Sequence, residues 1–433
     1  MKYRSISPEL FVANRKRFCA QLPAGSLAVF VSNDEMPRSG DATFEFHQNP
    51  DLFYLTGIDQ EQTVLLLYPD APDPKHREIL FLRPTNDTVK TWEGHKYTQE
   101  EGKTMSGIAN VLWTNEFEAL LNMLAHRADR IYLGGNENDR ATNPVQDGAH
   151  RFAHQLRQRF PLHEFRRAAP LLTDLRMVKS ELEIELLRQA CDITGKAFRR
   201  VLDFVQPGVA EYEIEAEIIH EFMRNRATGH AYHPIIASGA DTNILHYSLN
   251  NKPCQAGEVL LMDFGAEYAN YNADLTRTIP VSGAFSDRQR AVYDAVLRVQ
   301  REATTMLRPG TSLPEYTKEV GKIMESELIG LGLLDKTAVS KQNPDAPLYK
   351  KYFMHGTSHH LGLDVHDIGN RFGTISTGNV FTVEPGIYIP EEGFGIRLEN
   401  NVWVTDGDPI DLMADIPLEA DEIESLMNAT VRG

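Results

Sequence analysis

Residues 260–278, LLMDFGAEYANYNADLTRT, set Asp263 inside an apolar run and Asp274 eleven positions later, and no other stretch restricts the possible folds so tightly. Gly265, Asn270 and Asn272 are turn formers between β-prone flanks, which predicts a hairpin with a short loop. Ten residues separate the two acids. A regular antiparallel register then pairs them directly on one sheet face, with Cβ atoms about 4.5–5.5 Å apart. Two carboxylates that close in a low-dielectric sheet require a shared proton or a cation between them. Solvated acids at exposed strand ends would require neither, so a metal site needs further ligands.

The carboxyl-terminal part of the chain supplies candidates in HGTSHHLGLDVHD (355–367), FTVEPGIYIP (381–390) and GIRLENNVWVT (395–405). Glu384 follows VFTV and Glu399 lies in IRLENNVWV, and acids embedded in β-type apolar sequence need a compensating partner. His355 and His359 are four apart and share a face whether the segment is helical or extended, with the surrounding glycines favouring a loop or strand. Four carboxylates and an imidazole suit hard or borderline divalent ions such as manganese, cobalt or zinc better than copper or an iron–sulfur cluster. Two such ions with a bridging hydroxide leave roughly one net negative charge, whereas a single ion leaves much of the repulsion uncompensated.

Composition narrows the class. The chain has 433 residues, 42% of them hydrophobic and 24% charged, which is enough to bury two or three cores. No apolar run approaches the length of a membrane span, and the amino terminus MKYRSISPELFVANRKRF lacks the apolar stretch of a secretion signal, so the cytoplasm is the expected compartment. A net charge of −17 disfavours nucleic acid or an anionic membrane as partner. Cys19, Cys191 and Cys254 are odd in number without CxxC spacing, which predicts core thiols and neither a disulfide framework nor a thiolate zinc site.

Along the chain, SLAVFVSN, TVLLLYP, EILFLRP and RIYLGG alternate with helical stretches such as FEALLNMLAHRA, the pattern of a three-layer α/β domain. A second region follows, with the boundary near residue 172. Its first helix is marked by Ser180 and Glu183 as a capping box and by Leu187, Ile193, Phe198, Val201 and Leu202, and stops at Pro207-Gly208. VLDFVQPGVAEYEI (201–214) is echoed by TTMLRPGTSLPEYTK (304–318), each with a Pro-Gly stop and a Glu-Tyr restart. Two similar αβ halves facing a cleft would produce such an echo.

DFGAEYANYNADLTRT, HGTSHHLGLDVHD, TVEPGIYI and IRLEN together resemble the pita-bread metallopeptidases, in particular the aminopeptidase P branch. LRMVKSELEIELLRQA resembles the start of the catalytic domain in that family, and FHQNPDLFYLTG its creatinase-type amino-terminal domain. The resemblance implies an α/β (α+β) chain: a creatinase-type domain over residues 1–171, then a pita-bread catalytic domain of two similar αβ halves over 172–433. It implies a dinuclear site, with manganese the expected metal, in which Asp263 binds one ion, Asp274 and Glu399 bridge both, and His359 and Glu384 hold the second. A hydroxide shared by the ions would attack the carbonyl, and Glu384 would move its proton. His246, His355 and His366 resemble histidines that contact substrate, and Tyr232 and Arg397 resemble residues flanking the pocket. Trp92 and Gly94 in TWEGHKY resemble a shorter family signature.

The substrate implied is a peptide with proline in second position, and the assembly a homodimer or homotetramer. His360 departs from the family, which usually has Trp there, and KTAVSKQNPDAPLYKKYF is longer than in the shortest members. Prolidase, restricted to Xaa-Pro dipeptides, is the nearest alternative, and Ser358 before His359 favours aminopeptidase P. A non-catalytic pita-bread binding protein is the alternative of a different class, disfavoured by the complete ligand set.

Overall fold

A computed structural model of the chain describes residues 3–138, 140 and 144–430, which fall into two compact units, Tyr3–Arg176 and a second beginning at Met177. The helix Ala169–Met177 runs across residue 172. Its Leu172 and Leu175 are buried, and the Arg176 guanidinium pairs with the buried Asp51 carboxylate at 2.7 Å, so this helix packs with the first unit.

The first unit is built on a mixed six-stranded sheet. Ser26–Val31 lies near its middle, antiparallel to Val64–Leu67 and parallel to Arg130–Leu133. Glu78–Leu82 and Asn110–Trp113 extend one side, and Glu164–Arg167 ends the other. Leu27 and Val29 share a core with Leu66, Phe81, Leu121 and Leu156, the last two from the helices Phe117–Ala125 and Gly148–Arg159. Phe30, of opposite parity, packs edge-on against Phe18 of the helix Pro8–Ala20, ring centroids 5.4 Å apart. Burial on both faces accounts for the continuous apolar run of SLAVFV.

The second unit opens with the helix Glu181–Phe204, whose Ser180–Glu183 capping box is present and whose Leu187, Ile193, Phe198, Val201 and Leu202 are all buried. The chain turns at Gly208, with φ of 96°, into the helix Glu211–Arg224. The same joint recurs where Asp287–Met306 ends and Gly310, with φ of 90°, leads into Leu313–Gly330. That left-handed backbone is cheap only for glycine, which explains the Pro-Gly echo. Each helix pair precedes antiparallel strands: Ile235–Ser238, Val259–Phe264 and Leu275–Pro280 in the first half, Val380–Val383, Asn400–Trp403 and Ile410–Asp411 in the second. The expected pair of αβ halves is therefore present. The Glu-Tyr echo is used unequally, since Glu211 and Tyr316 are buried while Tyr212 and Glu315 are exposed.

The first hairpin differs from expectation in register. Asp263 faces Thr276, not Asp274. The turn is the two-residue Ala269-Asn270, with φ of 54° and 63°, between the paired Tyr268 and Tyr271, and this places Gly265 opposite Asp274. The two acids are thus diagonal neighbours on one face, still within mutual reach. A Cβ at Gly265 would lie 1.7 Å from the Ala273 carbonyl oxygen, so only glycine permits this close crossing.

Candidate active site

The second hairpin supplies the other two acids from a deliberate break. Val380–Val383 pairs with Asn400–Trp403 and Gly386–Ile389 with Phe394–Arg397 in one continuous register, which sets Glu384 opposite Glu399 in the gap between the ladders. Pro385 has no N–H to donate and interrupts the pairing there. Neither Glu384 nor Glu399 therefore occupies a regular strand position, although both lie in strand-like sequence.

All ten residues expected at the site line one cavity of about 320 Å³: Tyr232, His246, Asp263, Asp274, His355, His359, His366, Glu384, Arg397 and Glu399. Ile235, Tyr247, Leu261 and Tyr388 form a packed apolar cluster of which Ile235 and Tyr247 also line the wall. Trp92 and Gly94 lie in the first unit, at the helix Asp87–Glu93 and its carboxyl-terminal cap, and Trp92 is 83% exposed.

The four acids are crowded. One ligand atom each from Asp274, His359 and Glu399 lies within 4.8 Å of the others, the one such grouping among the described residues. The Tyr232 hydroxyl contacts Asp263 Oδ1 at 2.6 Å and also Asp274 Oδ1, so one O–H serves two carboxylates. Arg397 Nη2 donates to Asp263 Oδ2 at 2.6 Å. Burial raises the Asp263 carboxyl above its usual range, with Arg397 opposing and Asp274 adding to the effect. Burial likewise pushes Glu399 well up, reinforced by Asp274, Glu384 and Asp263. Glu384 is pushed up to about 7 by burial and then by Asp274, against the pull of His359 and Arg397. Acids held at such cost, with one arginine among them, could serve as the donor set of a cation site, with Asp274, His359 and Glu399 as its candidate centre.

The histidines fall into distinct environments. His359 Nδ1 donates to the His360 carbonyl at 2.9 Å, which turns Nε2 toward Asp274 Oδ2 at 3.4 Å and Glu384 Oε1 at 3.6 Å. Such a backbone acceptor fixes the tautomer of a metal-binding imidazole. Burial opposes charge on His359, yet Asp274 and Glu384 outweigh it and raise its pKa. His355 is pushed down to about 3 by burial and by Arg397; it donates from Nδ1 to the Gly356 carbonyl and accepts at Nε2 from the Tyr388 hydroxyl at 2.8 Å. His246 and His366 are exposed on the cavity wall, and the His366 ring stands edge-on to His359 with centroids 4.4 Å apart. His360, the family departure, is buried against Phe381 with centroids 4.3 Å apart. Ser358 bonds the Tyr316 hydroxyl at 2.9 Å.

Some residues at the site escape sequence reasoning. Tyr388 links His355 to Arg397 Nη1 at 2.9 Å, yet in GIYI it reads as an ordinary core aromatic. Thr276 donates to Glu399 Oε2 at 2.7 Å and accepts from Arg397 Nε at 3.1 Å. Its place between the acid-bearing strands was the available signal. His233 and Val365 also line the cavity and carry no spacing cue.

Comparison with known proteins follows the same outline. Residues 185–406 match metallopeptidase family M24, and residues 11–132 match the aminopeptidase P N-terminal domain. The chain is 36% identical over 442 residues to the Xaa-Pro aminopeptidase of Escherichia coli strain K12, covering 98% of each. It is 30% identical to Xaa-Pro aminopeptidase 3 of Homo sapiens, covering 92% of this chain and 80% of the human one. Among solved structures, zinc-substituted E. coli aminopeptidase P in complex with product superposes with a TM-score of 0.87 at 33% identity, covering 99% of both chains. The E. coli enzyme with the inhibitor Pro-Leu gives a TM-score of 0.88 at 33% identity, covering 99% of this chain and 100% of that one.

Proposed function

Because the chain belongs to metallopeptidase family M24, with an aminopeptidase P amino-terminal domain ahead of a pita-bread catalytic domain, we propose that it hydrolyses the bond between an amino-terminal residue and a following proline in peptides. The observation that carries this reading is the convergence of four buried or half-buried acids and His359 on one cavity. Asp263, Asp274, His359, Glu384 and Glu399 would hold two divalent ions, and we take manganese as the metal, with cobalt or zinc as alternatives. When bound, such ions supply Lewis acidity toward the scissile carbonyl and acidify water.

The protein's own groups do the rest. Glu384, whose carboxylate faces the cavity beside His359, is placed to take a proton from the attacking water and deliver it to the departing nitrogen. An Xaa-Pro bond is a tertiary amide, so its nitrogen has no proton of its own and must receive one to leave as an amine. His246 and His366 donate hydrogen bonds to the oxygen that gains charge in the tetrahedral intermediate. His355, held neutral, accepts from Tyr388 and so keeps that hydroxyl and Arg397 aligned behind Asp263. The division into a creatinase-type domain over residues 1–171 and a catalytic domain over 172–433 is supported by the two compact units, the second of which begins at Met177. Among the described residues no helix is long and apolar enough to cross a membrane, and the free thiols Cys19, Cys191 and Cys254 support a reducing compartment such as the cytoplasm. We propose a homodimer or homotetramer, which light scattering of the purified protein would test.

Manganese-loaded protein is incubated with an Xaa-Pro dipeptide, an Xaa-Pro-Yaa tripeptide and a proline-free tripeptide. Cleavage of Xaa-Pro-Yaa is the expected result. Cleavage of the dipeptide alone would make it a prolidase, and elemental analysis without a bound transition metal together with no cleavage after adding manganese would favour a binding module.

A further inference from the structure

The acids of the two hairpins meet along a seam. On the side away from Val259–Phe264, the strand Leu275–Pro280 lies against residues 397–401 of the second hairpin, and Thr276 and Glu399 form an isolated antiparallel bridge in which Glu399 N–H donates to the Thr276 carbonyl at 3.0 Å. Carried outward, the same register opposes Thr278 to Arg397 and Asp274 to Asn401. At both places a side chain replaces the missing backbone pairing. Thr278 Oγ1 accepts from Arg397 N–H and donates to the Arg397 carbonyl, each at 3.2 Å. Asn401 Oδ1 accepts from Asp274 N–H at 3.0 Å, and its Nδ2 donates to the Asp274 carbonyl at 2.6 Å.

The amide of Asn401 has no alternative orientation. Asp274 offers one donor and one acceptor from its peptide, and only one flip of the Asn401 amide satisfies both. Its backbone is engaged elsewhere, paired with Thr382 and with its carbonyl accepting from Leu412 N–H at 2.8 Å. Asn401 is 0% exposed, and the Cys191 thiol donates to its Oδ1 at 3.5 Å. Within its own hairpin Asp274 faces Gly265, whose carbonyl accepts from Ala231 instead.

We propose that Asn401 is a positioning residue for the metal centre: its side-chain amide stands in for a strand partner, clamps the Asp274 peptide and thereby sets the spacing of Asp274 from Glu399. This rests on the reading of the four acids as a dinuclear site. A side chain can hold a carboxylate in ligating geometry only as firmly as the peptide beneath it is held, and partners of metal ligands commonly contribute about 10- to 100-fold to affinity.

Asn401→Asp keeps the size and the acceptor but puts an oxygen where Nδ2 donates. Manganese titration by calorimetry, electron paramagnetic resonance of the loaded protein and the melting temperature without metal are measured on wild type and variant. The expected result is at least about tenfold weaker binding of one ion, with altered magnetic coupling between the two. Thr278→Val, at the other end of the seam, loosens the peptide of Arg397 and not that of a ligand, so it should lower the melting temperature while weakening metal binding less than Asn401→Asp does. If Asn401→Asp does not fold, Asn401→Gln retains both hydrogen-bonding groups one methylene further out and should bind two ions with altered coupling. Wild-type affinity and coupling in a folded Asn401 variant would overturn the proposal, even with a lowered melting temperature. Failure of wild type itself to bind two ions would overturn the dinuclear reading, and this proposal with it.

Discussion

The hairpin of Asp263 and Asp274 and the hairpin of Glu384 and Glu399 bring acids into buried β structure by different means. The first keeps its register through a tight crossing, where Gly265 lets the strands approach and Asp274 faces an absent side chain. The second opens its ladder at Pro385, and both glutamates sit opposite each other in the gap. The first is consequently intolerant of added volume at Gly265, whereas the second has already given up the one ladder bond that Pro385 cannot donate and keeps only that from Leu398 N–H to the Pro385 carbonyl at 3.2 Å. The difference teaches where a site of this kind is brittle.

The largest effect expected across this pair is chemical. Glu384→Gln should lower turnover by at least about a hundredfold, the scale of a lost general base, while most of the fold persists. Turnover and metal content on one preparation check this, and near-normal turnover with both ions retained would remove the proton-transfer role. Within the first hairpin, Asp274→Asn should deplete metal more than Asp263→Asn. Asp274 faces His359 at 3.4 Å and groups with Glu399, while Asp263 is already held by Arg397 at 2.6 Å. Metal-to-protein ratios in the two variants decide it, and the reverse order would break the assignment of the bridging acid.

Gly265→Ala should cost about 1–3 kcal/mol, as overpacking against backbone does, because the new methyl meets the Ala273 carbonyl. Pro385→Ala should cost less than about 1 kcal/mol, since no ladder bond is lost. Denaturant unfolding of both, metal-free, compares them directly; equal losses would dissolve the contrast between the hairpins.

The chemistry of the site was legible because it conflicts with its surroundings. Asp263, Glu384 and Glu399 stand in apolar β-type sequence, where an unpaired acid is costly, and the histidine cluster added the imidazole. The helices of the second unit were legible through caps and Pro-Gly joints, whose φ values admit little but glycine. Register was not. It depends on which two residues form the turn, and Ala269 with positive φ is not a residue that announces one. Glu164–Arg167, EFRR, escaped as a strand because an edge strand needs little apolar alternation. Asn401 and Tyr388 act through partners more than a hundred residues away and thirty-three residues away, distances over which local patterns carry no information.

Asp263 and Asp274 belong to one hairpin, Glu384 and Glu399 to the other, and the main-chain bridge between Thr276 and Glu399 spans 123 positions of sequence. An ion bound among these acids is therefore bound only while the two hairpins are docked. Free metal at a hundred times its dissociation constant adds about 2.7 kcal/mol to the docked state, and each further tenfold adds about 1.4. With metal bound as proposed, the persistence of the catalytic unit under heat or proteolysis would follow the logarithm of the metal supply around it, and chelation would destabilise the protein as well as silence its chemistry.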